Sequence, residues 1–188
     1  TEQAFDCGQL VYKVNRLLPR DISVSKIETV DENLHARFSA TSRTYHYYVH
    51  TGKQPFSRQY SCELRYPLNF DKMNEAAACL IGEKDFKCFC KAGADVKTTI
   101  CRLTEARWYP VNNEFALTTG DNVTNWCFVI TANRFLRNMV RAVVGTLVDV
   151  GRGRLSLDDF KKIVDEGTRN DAGESMPGNA LFLWDIKY

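Results

Sequence analysis

The chain has 188 residues, of which 44% are hydrophobic and 26% charged, with a formal net charge of +2. That length suffices for one buried core, or one domain and a fraction, and the composition is that of an ordinary soluble protein. It excludes a transmembrane helix, since no apolar run approaches membrane length, and the small net charge means that a nucleic-acid role must rest on where individual arginines stand. No segment is patterned as a secretory leader, and an opening of Thr-Glu-Gln without Met suggests a piece of a longer protein. The seven cysteines form no CxxC pair, and the three histidines (His35, His46, His50) are not spaced as metal partners. The cysteines read as reduced thiols, mostly small core residues, in a cytoplasmic protein.

In chain order, residues 7–18 are expected to be helical. Asp6 is the N-cap, Leu10, Val14, Leu17 and Leu18 form an apolar stripe, and Pro19 ends it. Asp21 to Val30 alternates as a strand would, and a polar connector follows that encloses the segment HARFSA. Residues 41–50 read as an aromatic strand with Tyr45, Tyr47 and Val49 on one face. Residues 51–70 read as a loop, 71–81 as a helix stopped by Gly82, and Asp85 to Lys97 as a basic segment. A strand over Thr98 to Tyr109 precedes a hairpin, Glu114 to Thr119 and Asn125 to Ala132, turning at Gly120-Asp121-Asn122. Ser156 opens a helix that Gly167 closes, with Leu157, Phe160, Ile163 and Val164 inward, and residues 181–188 form a last strand. Hairpin-linked strands with helices between them indicate an α+β fold on a largely antiparallel sheet, with helices on one face.

The stretch from Phe128 to Gly151 is the most patterned. It begins as a strand, and its apolar residues then switch to helical spacing. With Asn133 as N-cap, Phe135, Met139, Val143, Thr146, Leu147 and Val150 share one face of a helix, and Arg134, Arg137 and Arg141 share the other. Asn138 and Gly145 flank Arg141. A glycine costs a helix about 1 kcal/mol against alanine, so Gly145 is expected to admit something close beside Arg141. The arginine face has two readings: a solvated basic surface, or a comb of three guanidinium groups meeting an anion.

Two segments carry a resemblance. HARFSATSRTYHYYV (35–49) and ANRFLRNMVRAVVGTLVDVGRGR (132–154) resemble motifs of the bacterial tRNA pseudouridine synthase A family (TruA), the first nearly letter for letter. NRLLPRDI (15–22), GEKDFKCF (82–89), TTICR (98–102) and MPGNALFLWDIKY (176–188) follow in the same order. The family's nucleophilic Asp, in a G-R-T-D-x-G-V-H segment, is not among these residues and belongs upstream of Thr1. Arg169-Asn-Asp171-Ala-Gly173 imitates that segment but lacks its Val-His continuation, and reads as a turn. Ala180 stands where the family usually has Gly.

The resemblance implies the pseudouridine synthase fold, with residues 1–36 finishing a truncated N-terminal half and 37–188 forming the C-terminal half. It implies isomerisation of uridines 38, 39 and 40 in the tRNA anticodon arm, by a homodimer and without a cofactor. This chain alone, lacking the nucleophile, is then expected to be inactive. Arg141 would pair with the nucleophilic carboxylate, and Tyr45 would stack on the flipped base and serve proton transfer at C5. Leu181 and Leu183 would wall the uracil, or are ordinary core. Arg37, Arg43, Arg134 and Arg137 would bind the RNA backbone, together with Lys84, Lys87, Lys91 and Lys97. The alternative is a noncatalytic RNA-binding α+β module.

Overall fold

In the strand β1 (Ser42–His50), Tyr47 and Val49 are fully buried while their neighbours Thr44, His46 and Tyr48 are half-exposed. This alternation sets which face of the sheet meets the helices. The structure, a computed structural model, describes residues 6–94, 96–111 and 124–188. These form two units, the first ending at Ser39 and the second spanning Ala40–Tyr188.

The first unit holds helix α1 (Cys7–Leu17), capped by the Asp6 carboxylate accepting from the Gln9 N–H. None of its residues is buried. The strand expected over residues 21–30 is not formed. No strand pairs with it among the described residues, and alternation alone does not make a ladder. Instead, the Asn15 side chain donates to the Val24 carbonyl at 2.8 Å and accepts from its N–H at 2.7 Å. HARFSA closes on itself, with His35 Nδ1 accepting from the N–H groups of Arg37 and Phe38 at 3.1 and 3.3 Å.

The second unit is built on one sheet. β3 (Gly82–Asp85), β4 (Ile100–Pro110), β5 (Asn125–Ala132) and β1 lie side by side, each antiparallel to the next. The far edge of β1 is shared by β6 (Leu181–Lys187), antiparallel, and the short parallel β2 (Cys62–Glu63). Helices α2 (Phe70–Ala78), α3 (Met139–Gly151) and α4 (Leu157–Glu166) cover the face that carries Tyr47, Phe128 and Ile130. Met73, Met139, Leu147, Phe128 and Phe160 are fully buried between the layers, each contributing roughly 1.5–3 kcal/mol. The fold is thus α+β with an open, mostly antiparallel sheet.

Several boundaries move. The second helix ends at Ala78, before the expected Gly82, which instead begins β3. The largest shift is in the central helix, which starts at Met139 and not at Asn133. Asn133 belongs to the sheet: its side chain accepts from the Arg102 N–H at 2.9 Å, and its own N–H donates to the Arg102 carbonyl at 3.1 Å. The helix is entered through Asn138, whose φ of 68° lies in the left-handed region that asparagine tolerates better than most residues. Arg134 and Arg137 therefore sit in the loop before α3, and the comb of three arginines on one helical face does not exist. The expected strand over 114–119 and the turn over 120–122 lie outside the described residues.

Candidate active-site cleft

Arg141 stands in the first turn of α3, half-buried. Its carbonyl accepts from the Met176 N–H at 3.1 Å, and its Nε donates back to the Met176 carbonyl. Among the described residues, neither Nη atom has an acceptor. Met176 belongs to a strap, residues 173–177, that runs beside α3 on its way to β6. The Gly173 N–H donates to Thr146 Oγ1 at 2.9 Å, Asn138 Nδ2 donates to Ser175 Oγ, and the Tyr47 hydroxyl donates to the Pro177 carbonyl at 2.8 Å. What Gly145 admits is this strap: a β-carbon there would collide with the Glu174 carbonyl oxygen.

A cleft of about 830 Å³ opens between the strap and the start of α3. Arg141, Arg137, Arg169, Lys91, Asn138 and Leu181 are among the residues that line it, and Glu174 adds one negative charge. Four cations against one carboxylate on a concave wall attract an anion, since low-dielectric walls concentrate the field. The Arg137 carbonyl accepts from the Lys91 N–H at 3.1 Å, which sets the two basic residues side by side. Sequence reasoning did not single out Arg169 as part of the site. It begins the 169–173 turn, donating to the carbonyls of Ala172 and Gly173 at 3.2 and 3.0 Å and to Ser175 Oγ at 2.9 Å. The turn itself matches expectation: hydrogen bonds from the Thr168 N–H and hydroxyl hold the exposed Asp171 carboxyl below its ordinary range. The imitation motif could have flagged Arg169 only by its turn chemistry.

Of the other expected site residues of the second unit, Leu181 lines this cleft, and Tyr45, Leu183, Arg43 and Arg134 are not in its lining. Tyr45 is half-buried on β1, paired in register with Leu183 on β6, and its ring meets Phe135 edge-on at 5.1 Å. Its hydroxyl has no hydrogen-bond partner among the described residues. Leu181 pairs with Tyr47 and lines the cleft, while Leu183 is 49% exposed and lies outside the cleft lining. Arg43 is tied to the backbone, its Nη1 donating to the carbonyls of Ala40 and Asn133 at 2.7 and 2.6 Å. Arg134 lies close enough to Cys101 to favour its thiolate, though burial still pushes that thiol up to about 11. Arg37 belongs to the first unit, its guanidinium 5.5 Å from the centre of the Phe38 ring. Lys84 pairs loosely with Asp165 at 4.0 Å.

Residues 76–188 match a family profile described as tRNA pseudouridine synthase, a span that includes Arg141, Leu181 and Leu183. A tRNA pseudouridine synthase A of Bacteroides fragilis is 50% identical over 186 residues, covering 99% of this chain and 70% of the relative. That of Bacteroides thetaiotaomicron is 48% identical, covering 100% of this chain and 66% of its own, and that of Bacillus subtilis is 40% identical over 94% and 68%. The chain thus spans about two thirds of the length of these relatives. With more than half of its residues matched to the profile and near half-identity to relatives along its whole length, the chain belongs to the tRNA pseudouridine synthase family.

Proposed function

We propose that this chain forms most of an enzyme that converts uridines 38, 39 and 40 of the tRNA anticodon arm to pseudouridine. The reaction cleaves the bond from C1′ to N1, turns the uracil and rejoins it through C5, so no group enters or leaves. A nucleophilic carboxylate splits this into easier steps through a covalent intermediate. In a dry cleft that carboxylate needs a cation, or its pKa rises and it takes up a proton. One observation carries the assignment. Arg141 has its Nε occupied by Met176 and both Nη atoms without acceptors at the cleft wall, leaving one bidentate face of the fork for an incoming carboxylate.

The carboxylate itself comes from sequence outside these 188 residues, in the third of the relatives' length that this chain does not match. Leu181 packs against the uracil, and Tyr45, whose hydroxyl is unclaimed, stacks on the flipped base and exchanges the C5 proton. Arg137, Arg169 and Lys91 meet phosphates, offsetting the few kcal/mol that base flipping costs. Arg134 adds an RNA contact, and Arg43 serves the RNA less directly, because its Nη1 already donates to the carbonyls of Ala40 and Asn133. Arg37 adds an RNA contact from the first unit. The seven free cysteines support a reducing compartment, the cytoplasm. The homodimer rests on family resemblance.

The test uses a protein spanning the relatives' full length. Arg141→Lys removes the planar fork and keeps the charge, so turnover on tRNA should fall by most of its value while tRNA binding persists. Near-normal turnover would remove Arg141 from the mechanism. The 188-residue chain assayed alone should yield no pseudouridine, and product from it would place the nucleophile within residues 1–188. Expression of the full-length protein with tRNA binding and no product would favour the noncatalytic module.

A further inference from the structure

We infer that Tyr47 is a positioning residue for Arg141, acting through the carbonyls of Met176 and Pro177. The inference rests on the functional reading above for its kinetic consequence, and on geometry alone for its structural one.

Two bonds to a single residue hold Arg141. Its carbonyl accepts from the Met176 N–H, and its Nε donates to the Met176 carbonyl. The direction of the guanidinium plane therefore follows the position of the Met176 carbonyl. The next carbonyl along, that of Pro177, accepts from the Tyr47 hydroxyl at 2.8 Å. Pro177 has φ −53° fixed by its ring, so a single torsion, its ψ, separates the peptide groups on its two sides and limits how far one moves without the other. At Gly178, a β-carbon would stand 3.9 Å from Cζ and Nη1 of Arg141, so the strap also runs along the edge of the guanidinium.

The anchor at the other end is stiff. Tyr47 is fully buried and sits mid-strand, paired on one side with Phe128 and on the other with Leu181. Its ring fills core, which a phenylalanine would do equally well. The hydroxyl adds something packing does not require, a donor aimed at the strap. Burial and the neighbouring Cys62 push that hydroxyl's pKa up, with Arg141 pulling weakly the other way, so it stays a donor across the working pH range. The chain of contacts runs from the sheet through the phenol and two carbonyls to the arginine.

Tyr47→Phe in the full-length protein isolates this role, because it keeps the ring and deletes the donor. Turnover number should fall about tenfold or more, since sub-ångström misplacement of a catalytic group is costly, while KM for tRNA stays within about twofold. In ¹⁵N NMR spectra, the Arg141 Nε–H should exchange with solvent at least about tenfold faster than in the parent. A purely structural tyrosine would lower stability without this split. If Tyr47→Phe does not fold, Pro177→Gly frees the two carbonyls while leaving Tyr47 in place, and should give the same loss of kcat at constant KM. Parent-like kcat and Nε–H exchange in these variants, with Arg141→Lys inactive in parallel, would overturn the inference. If Arg141→Lys keeps turnover, the functional reading fails instead, and the exchange rate alone decides whether Tyr47 holds the arginine.

Discussion

Gly145 and the carbonyl oxygen of Glu174 approach so closely that no β-carbon fits between them. The obstacle is backbone, and the strap that carries it is tied down at Gly173, Ser175, Met176 and Pro177, so it cannot swing away cheaply. Gly145→Ala gains about 1 kcal/mol in helix propensity. Against this stand overpacking of typically 1–3 kcal/mol and strap hydrogen bonds at about 1 kcal/mol each. The loss wins, and urea denaturation should show a net destabilisation of roughly 1–3 kcal/mol. Unchanged or increased stability would mean that the strap yields freely and does not brace Arg141.

Leu181 and Leu183 are equivalent in sequence terms, two residues apart on the same face of β6. The structure separates them, since Leu181 lines the cleft beside Arg141 while Leu183 is 49% exposed and outside the lining. Apolar contacts in such a pocket are worth about 1–3 kcal/mol. Leu181→Ala in the full-length protein should cut kcat/KM on tRNA about tenfold or more, and Leu183→Ala by clearly less. The reverse order would move the uracil along the strand toward Tyr45.

How far the sequence discloses this fold depends on whether each signal is local. Helix α4 is legible because Ser156 and Asp159 form a reciprocal cap, Ser156 Oγ accepting from the Asp159 N–H at 3.1 Å and donating to its carboxylate at 2.6 Å. β1 is legible because its apolar alternation is unbroken. β4 is harder: Cys101 and Leu103 are buried, and then Ala106 and Trp108, because a bulge between Leu103 and Glu105 flips the face. β3 carries three charged residues in four and is a strand only because β4 pairs with it. The start of α3 turns on which asparagine takes φ 68°, and residue type alone does not choose between Asn133 and Asn138. Arg141 and Leu181 were legible through motif resemblance, and Arg169 was not, because its place in the cleft depends on the path of the strap.

His50 is 2% exposed, with Nδ1 and Ser61 Oγ 2.9 Å apart in a hydrogen bond. Burial lowers its pKa below the ordinary 6.5, and Glu63 opposes this only in part; His46 is lowered too, by burial, against Glu105. Below pH 6.5 the unfolded chain takes up these protons before the native state does, so the unfolded state binds more protons and native stability falls with pH. Unfolding free energy measured in urea should therefore drop between pH 7.5 and 5.5. In a His50→Gln variant the drop should be smaller. An equally steep decline would assign the pH dependence to other groups.

The thiols should separate by burial. Cys88, Cys101 and Cys127 are buried, and burial pushes their pKa values up to about 12, 11 and 11. Cys62 is half-buried and is also pushed up, mainly by burial. Because the thiolate is the nucleophile, these four should alkylate slowly in the native protein. Cys7 and Cys79 are half-exposed and should take up iodoacetamide first at pH 8, read by peptide mass mapping. Labelling of all seven should follow only on unfolding in urea. Rapid native labelling of Cys101 or Cys127 would mean that β4 and β5 open locally, and with them the sheet against which α3 and its arginine are held.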